Sequence, residues 1–167
     1  PSICSQQPGN TYYMSPLTGN CFGAVECSNE KDCLYAYVYH DGEGKCGGNN
    51  VDSLVLETLQ KKGLLNPCNP PSKKLMFIFD NCSGQNKNGM VLKLVVYLVE
   101  MGYFEEVEFM FLIVGHTKNP ADRLFNLLKN DYRSLNLFTM EQLIAAVNTN
   151  EFVTAVHAEE DVFKDFM

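Results

Sequence analysis

Two acidic residues stand where chemistry is easiest to build. Asp80 ends the apolar run Leu75-Met76-Phe77-Ile78-Phe79 and opens the polar string Asn81-Cys82-Ser83-Gly84-Gln85-Asn86-Lys87-Asn88. Further on, the apolar run from Phe109 to Val114 leads into Gly115-His116-Thr117-Lys118-Asn119-Pro120-Ala121-Asp122. In both places a strand-like run delivers a polar cluster to its C-terminal end, where sheet-based enzymes gather ligands. Carboxylates converging at strand ends suit a hard divalent cation and phosphoryl chemistry. Asp80 is the first candidate ligand and Asp122 the second, with His116 as a ligand, a general base or a satisfied loop histidine. Asn81, Gln85, Asn86 and Asn88 around Asp80 could fix that acid or contact a phosphate backbone. Simpler roles compete. An Asp after a strand is often a turn residue. Asn119, Pro120 and Asp122 also read as cap, first residue and dipole-matched acid of a helix.

The elements that must position these residues follow from periodicity. Residues 1–11 read as an irregular lead-in with Pro8 and Gly9. Cys21–Val25 and Leu34–His40 read as strands, the second by its aromatic and β-branched composition, and their closeness in sequence favours antiparallel pairing. Asp41–Asn50 is Gly-rich but lacks either phosphate-loop spacing. It reads as a turn that leaves Asp41 and Glu43 at a strand end as additional acids. Val51, Leu54, Val55 and Leu59 recur at helical spacing, with Asn49 or Asn50 as cap and Gly63 as stop.

Leu75–Phe79 is continuously apolar, as for a strand covered on both faces. Met90–Met101 reads as a helix too apolar to lie at the surface, ended by Gly102. A strand over Glu105–Val114 precedes a helix from Pro120 to about Lys129. Thr139 and Gln142 form a capping box for a last helix, and Phe152–His157 reads as an edge strand. The expected class is mixed α/β, a sheet flanked by helices, as one domain over residues 12–167.

Composition narrows the function. The net charge of -7 argues against a free-standing nucleic-acid binder, though not against a catalytic module rich in metal-binding acids. No apolar run is long enough for a membrane span. The seven cysteines include no C-x-x-C pair, which weakens zinc, and their odd number weakens a closed disulfide set. Reduced intracellular thiols, several buried as small apolar residues, are expected instead. Nothing beside Cys82 would activate it as a nucleophile toward a Cys82–His116 hydrolase. The start, Pro-Ser-Ile-Cys, reads as a cut from a longer protein.

The strings FIFDNCSGQNKN and GHTKNPADRLFNLLK together resemble a transposon-derived eukaryotic family with a ribonuclease-H-like, DDE-transposase/integrase-type core. LYAYVYHDGEGKCGGNNVDSLVLETL and LFTMEQLIAAV are similar to that family's strand, turn and helices, so the likeness covers most of the chain from about Tyr12. The resemblance implies a ribonuclease-H-like mixed sheet and cleavage or strand transfer of DNA that depends on Mg2+ or Mn2+. Asp80 matches the family's second acid and Asp122 its third; His116, Thr117 and Asn119 match its motif and would shape the site, His116 assisting proton transfer or orientation. It also implies a nuclear setting. The first acid has no match, since residues 1–11 hold no Asp or Glu; the first strand is missing or lies upstream of Pro1. Glu26, Asp41 and Glu43 stay open as substitutes, though none sits where the family pattern requires. A second expectation follows from that departure: a domesticated, catalytically inactive domain that binds a protein partner or its own copies.

Overall fold

The computed structural model describes residues 18–27, 31–44, 47–68, 73–79, 89–112, 120–135, 137 and 139–166. They form a mixed α/β protein with four helices. The chain divides into two units: residues 1–45 with 118–161, and residues 46–117 with 162–167.

In the first unit, β1 (Gly19–Glu26) pairs antiparallel with β2 (Cys33–His40), in the register Gly19 opposite His40. On the other side of β2, β5 (Val153–His157) pairs parallel, with Leu34 opposite Val153 and Val38 opposite His157. β2 is therefore the central strand, and its apolar run explains why. Leu34, Ala36, Tyr37, Val38 and Tyr39 are all buried, so both faces are covered.

Strand parity sorts those residues. Leu34, Ala36 and Val38, with Val153 and Ala155, face two helices: α3 (Pro120–Arg133) and α4 (Met140–Val147). Leu124 and Leu128 of α3, with Leu143 and Val147 of α4, complete that core at helical spacing. α3 approaches the sheet closely. A Cβ at Gly23 would overlap the Phe125 ring and reach 2.8 Å from Leu34 Cδ1, so only glycine fits under this helix. On the opposite face, Phe22 and its strand partner Tyr37 hold their rings 6.3 Å apart.

The capping expectation at α4 holds: Thr139 Oγ1 accepts from the Gln142 backbone N–H at 3.3 Å. Asn148 follows α4 and works on β5. Its side-chain amide donates to the Ala155 carbonyl at 2.9 Å, and its oxygen accepts from the Ala155 N–H at 2.6 Å.

The second unit holds α1 (Gly48–Lys61), β3 (Lys74–Phe79), α2 (Gly89–Glu100) and β4 (Glu106–Phe111). β3 and β4 run parallel with α2 as the crossover, from Lys74 opposite Glu106 to Phe79 opposite Phe111. Gly63 and Gly102 end α1 and α2 at φ of 69° and 71°. In each, the next N–H reaches back to the helix, Leu64 to Leu59 O and Tyr103 to Leu98 O, closing a Schellman turn.

Four expectations need correction. α1 begins after Gly47 with no side-chain cap, because Asn49 and Asn50 lie inside its first turn. β3 is not covered on both faces: Met76 and Ile78 are 55% and 50% exposed. α2 buries only Val91, Leu94 and Leu98, leaving Leu92, Val96, Tyr97 and Val99 exposed. A two-stranded layer has too little surface to cover an apolar helix on all sides, so both elements keep an open face. The described cysteines are not core residues either. Cys21, Cys27 and Cys68 are exposed and Cys33 is half-buried, all as free thiols. Cys27 and Cys68 lie outside the strands, Cys33 falls on the β2 face away from Leu34, and Cys21, on the helix-facing parity, sits near the start of the outer strand β1.

Candidate active site

The helix-facing stripe of β2 runs Leu34, Ala36, Val38 and ends in His40. The matching stripe of β5 runs Val153, Ala155 and ends in His157. Because the two strands are parallel neighbours, both histidines come to the same C-terminal edge and the same face. The β5 backbone is held there by the Ala158 N–H, which donates to the Val38 carbonyl at 3.0 Å.

The turn leaving β2 folds back on this pair. The Glu43 and Gly44 N–H groups donate to the His40 carbonyl at 2.9 and 3.2 Å. That turn carries the Glu43 side chain between the two rings. Glu43 Oε1 lies 2.7 Å from His157 Nε2 and 3.4 Å from His40 Nε2. Glu43 Oε2 accepts from the His40 backbone N–H at 2.9 Å. The Gly42 N–H donates to His40 Nδ1 at 3.1 Å. The His40 ring packs so close over Gly42 that a Cβ there would sit 3.0 Å from it.

Burial alone would push the Glu43 carboxyl up. The His40 N–H, together with the His157 and His40 imidazoles, outweighs burial and holds it below the usual carboxylate range. Glu141, in the first turn of α4, is held low by its own backbone N–H and the Thr139 hydroxyl, with a smaller pull from His157.

The residues singled out in the sequence fall differently. Asp41 is exposed and accepts from Asn20 Nδ2 at 3.0 Å, whereas Glu43, two residues on, is drawn inward between the imidazoles. Asp122 lies exposed in the first turn of α3, beside Arg123, which pairs with Asp32 at 3.1 Å. Asp80, Asn81, Gln85, Asn86, Asn88, His116, Thr117 and Asn119 lie outside the described residues, as do Cys82 and the proposed helix cap. Among the described residues no group of three or more His, Cys, Asp or Glu is arranged to hold a metal ion. No helix among them is long and apolar enough to cross a membrane.

Sequence reasoning missed three groups. His40 and His157 had a usable signal, since each closes an alternating apolar stripe with an imidazole. Asp52 had a weaker one, an acid inside the apolar face of α1. It is buried, its Oδ1 meets no partner among the described residues, and burial pushes its carboxyl up to about 6.

The model of one protein family matches residues 14–164, nearly the whole chain. The chain belongs to that family, described as Domain of unknown function (DUF7869). No curated protein and no solved structure matches it. The matched DUF7869 span takes in both strings that carry Asp80 and Asp122 and the whole His40–Glu43–His157 cluster.

Proposed function

We propose that this chain is a DDE-type, transposase-like core that cleaves or joins DNA phosphodiesters with Mg2+ or Mn2+, on a ribonuclease-H-like architecture. One observation carries the reading. β3 and β4 are parallel, Phe79 pairs with Phe111, and the Leu112 N–H donates to the Phe79 carbonyl at 3.0 Å. The segments that begin with Asp80 and lead to His116 therefore leave the same end of one parallel pair, the end where α/β enzymes bind ligands. The FIFDNCSGQNKN and GHTKNPAD strings support it on the sequence side.

Asp80 and Asp122 offer carboxylate oxygens, the donor type that suits Mg2+ or Mn2+. Such an ion, when bound, polarises the phosphoryl oxygens and activates the attacking hydroxyl. His116 would orient ligands or move a proton, with Asn81, Gln85, Asn86, Asn88, Thr117 and Asn119 shaping the surroundings. A DNA substrate implies a nuclear setting.

Manganese calorimetry on the wild-type chain, Asp80→Asn and Asp122→Asn tests this. Binding lost in both variants supports a shared site; binding unchanged in either removes that acid from it.

A second reading, a domesticated interaction domain, draws on the open apolar faces. Met76 and Ile78 of β3, Phe109 and Met110 of β4, and Leu92 and Val96 of α2 are all exposed. Apolar surface of this kind marks association sites. Sedimentation of the wild-type chain beside Met76→Lys tests self-association; a monomer in both at high concentration argues against homo-oligomers.

A further inference from the structure

α2 has two different sides. At about 100° per residue, Val91, Leu94 and Leu98 fall on one side of the helix, and these are its buried residues. Leu92, Val96 and Val99 recur at four and three residues along another side. Leu92 and Val96 are 50% and 59% exposed, and Val99 is exposed as well. They form an apolar stripe at the spacing of a helix–helix seam. α2 lies wholly within the second unit, so the stripe belongs to that unit alone.

One flank of the stripe is charged. Lys93 and Glu100, both exposed, follow Leu92 and Val99 by one residue each and so stand on the same side of it. They are seven residues apart. That is about 10 Å along the axis, too far for the two to pair with each other. Neither takes part in an ion pair among the described residues. Glu100 in the last turn also opposes the helix dipole, so the helix itself gives no reason for its place. The other flank, at Val95, carries no charge.

A surface that complements this one is apolar along its middle, acidic opposite Lys93 and basic opposite Glu100. A second α2 running antiparallel has that form. About a two-fold axis between Val96 and Tyr97, Lys93 of each copy stands opposite Glu100 of the other. The same operation brings Val96 beside Val96 of the second copy and Leu92 beside its Val99, so the stripe closes on itself. A parallel pair would set the charged flank against the uncharged Val95 side and leave both charges without a partner.

We infer that α2 is a self-docking surface: two copies of this chain pair through antiparallel α2 helices, with Leu92, Val96 and Val99 at the seam and two Lys93–Glu100 ion pairs across it. The inference rests on the association reading above and names its partner. Such an interface is isologous, so every contact occurs twice. The helix is about 18 Å long. The contact is therefore smaller than a standard stable interface, and the dimer is weak and salt-sensitive.

Sedimentation equilibrium of the full chain, over a concentration series reaching the millimolar range, tests this. The wild type should form a dimer that loosens as salt rises. Lys93→Glu and Glu100→Lys should each weaken it at least about tenfold, because like charges then meet twice across the axis. The double variant Lys93→Glu/Glu100→Lys should dimerise like the wild type. An equimolar mixture of the two single variants should do so too, since each supplies the charge the other lacks, and that recovery also shows both to be folded. A mixture that does not recover overturns the antiparallel pairing. A dimer indifferent to both charge reversals overturns the α2 seam; its loss in Met76→Lys then keeps the association reading and moves it to the β3–β4 face. A wild type that stays monomeric throughout the series overturns the α2 dimer and self-association together.

Discussion

Glu43 Oε1 and His157 Nε2 meet at 2.7 Å, joining the turn after the central strand to the end of edge strand β5. The contact makes acid stability depend on one carboxyl. In the folded chain the Glu43 carboxyl is held below its ordinary value of 4.5, so its contribution is fully present above that pH. It is lost as pH falls through the folded value. Urea midpoints of the wild-type chain should therefore fall more steeply below pH 4.5 than those of Glu43→Gln. At pH 7 the variant should be less stable by about 1–3 kcal/mol, because a charge-assisted acceptor is gone. Parallel curves across the acid range would count against the linkage.

Asp52 carries the opposite sign. Burial raises its carboxyl from 3.8 to about 6, so folding favours the protonated acid and stability declines as pH rises between those values. Asp52→Asn, matched in shape but never charged, should be more stable than wild type by up to about 3 kcal/mol at pH 7. The gain should vanish near the unfolded value of 3.8, as read from denaturant midpoints.

Asn148 imitates one residue of a neighbouring strand by pairing with both backbone groups of Ala155. Edge strands need such cover. Asn148→Ala should cost about 1–3 kcal/mol, since it strands a buried donor and acceptor. Hydrogen exchange at the Ala155 amide should quicken more than at Ala36 on the central strand.

Gly23 lies where α3 crosses the sheet, and any side chain there meets the Phe125 ring. Gly23→Ala should destabilise by roughly 1–3 kcal/mol through overpacking. Adding Phe125→Leu should return part of that loss. A double-mutant cycle with no coupling between the two positions would contradict the contact.

Much of the framework was legible before the structure. Local signals are short-ranged, and they held where one element could decide the outcome: the antiparallel β1 and β2, the glycines ending α1 and α2, Pro120 opening α3, and the Thr139 cap. They failed where coverage depended on a distant partner. The apolar content of β3 and α2 argued for burial on every side, but a two-stranded layer cannot supply it. The chemistry divides in the same way. Asp41 and Glu43 are equivalent by spacing, and only the fold of the turn separates an exposed acid from one drawn between two imidazoles. His40 and His157 are far apart in the chain, and only the parallel register of β2 and β5 makes them neighbours.

By itself, then, the sequence determined the types of the elements, their main stops and the acids available for chemistry, because caps, periodicity and backbone-permissive glycines act over a few residues. The tertiary structure decided which faces stay open and which titratable groups share one carboxylate. Those outcomes depend on strand register and helix placement, which join residues that no local pattern connects.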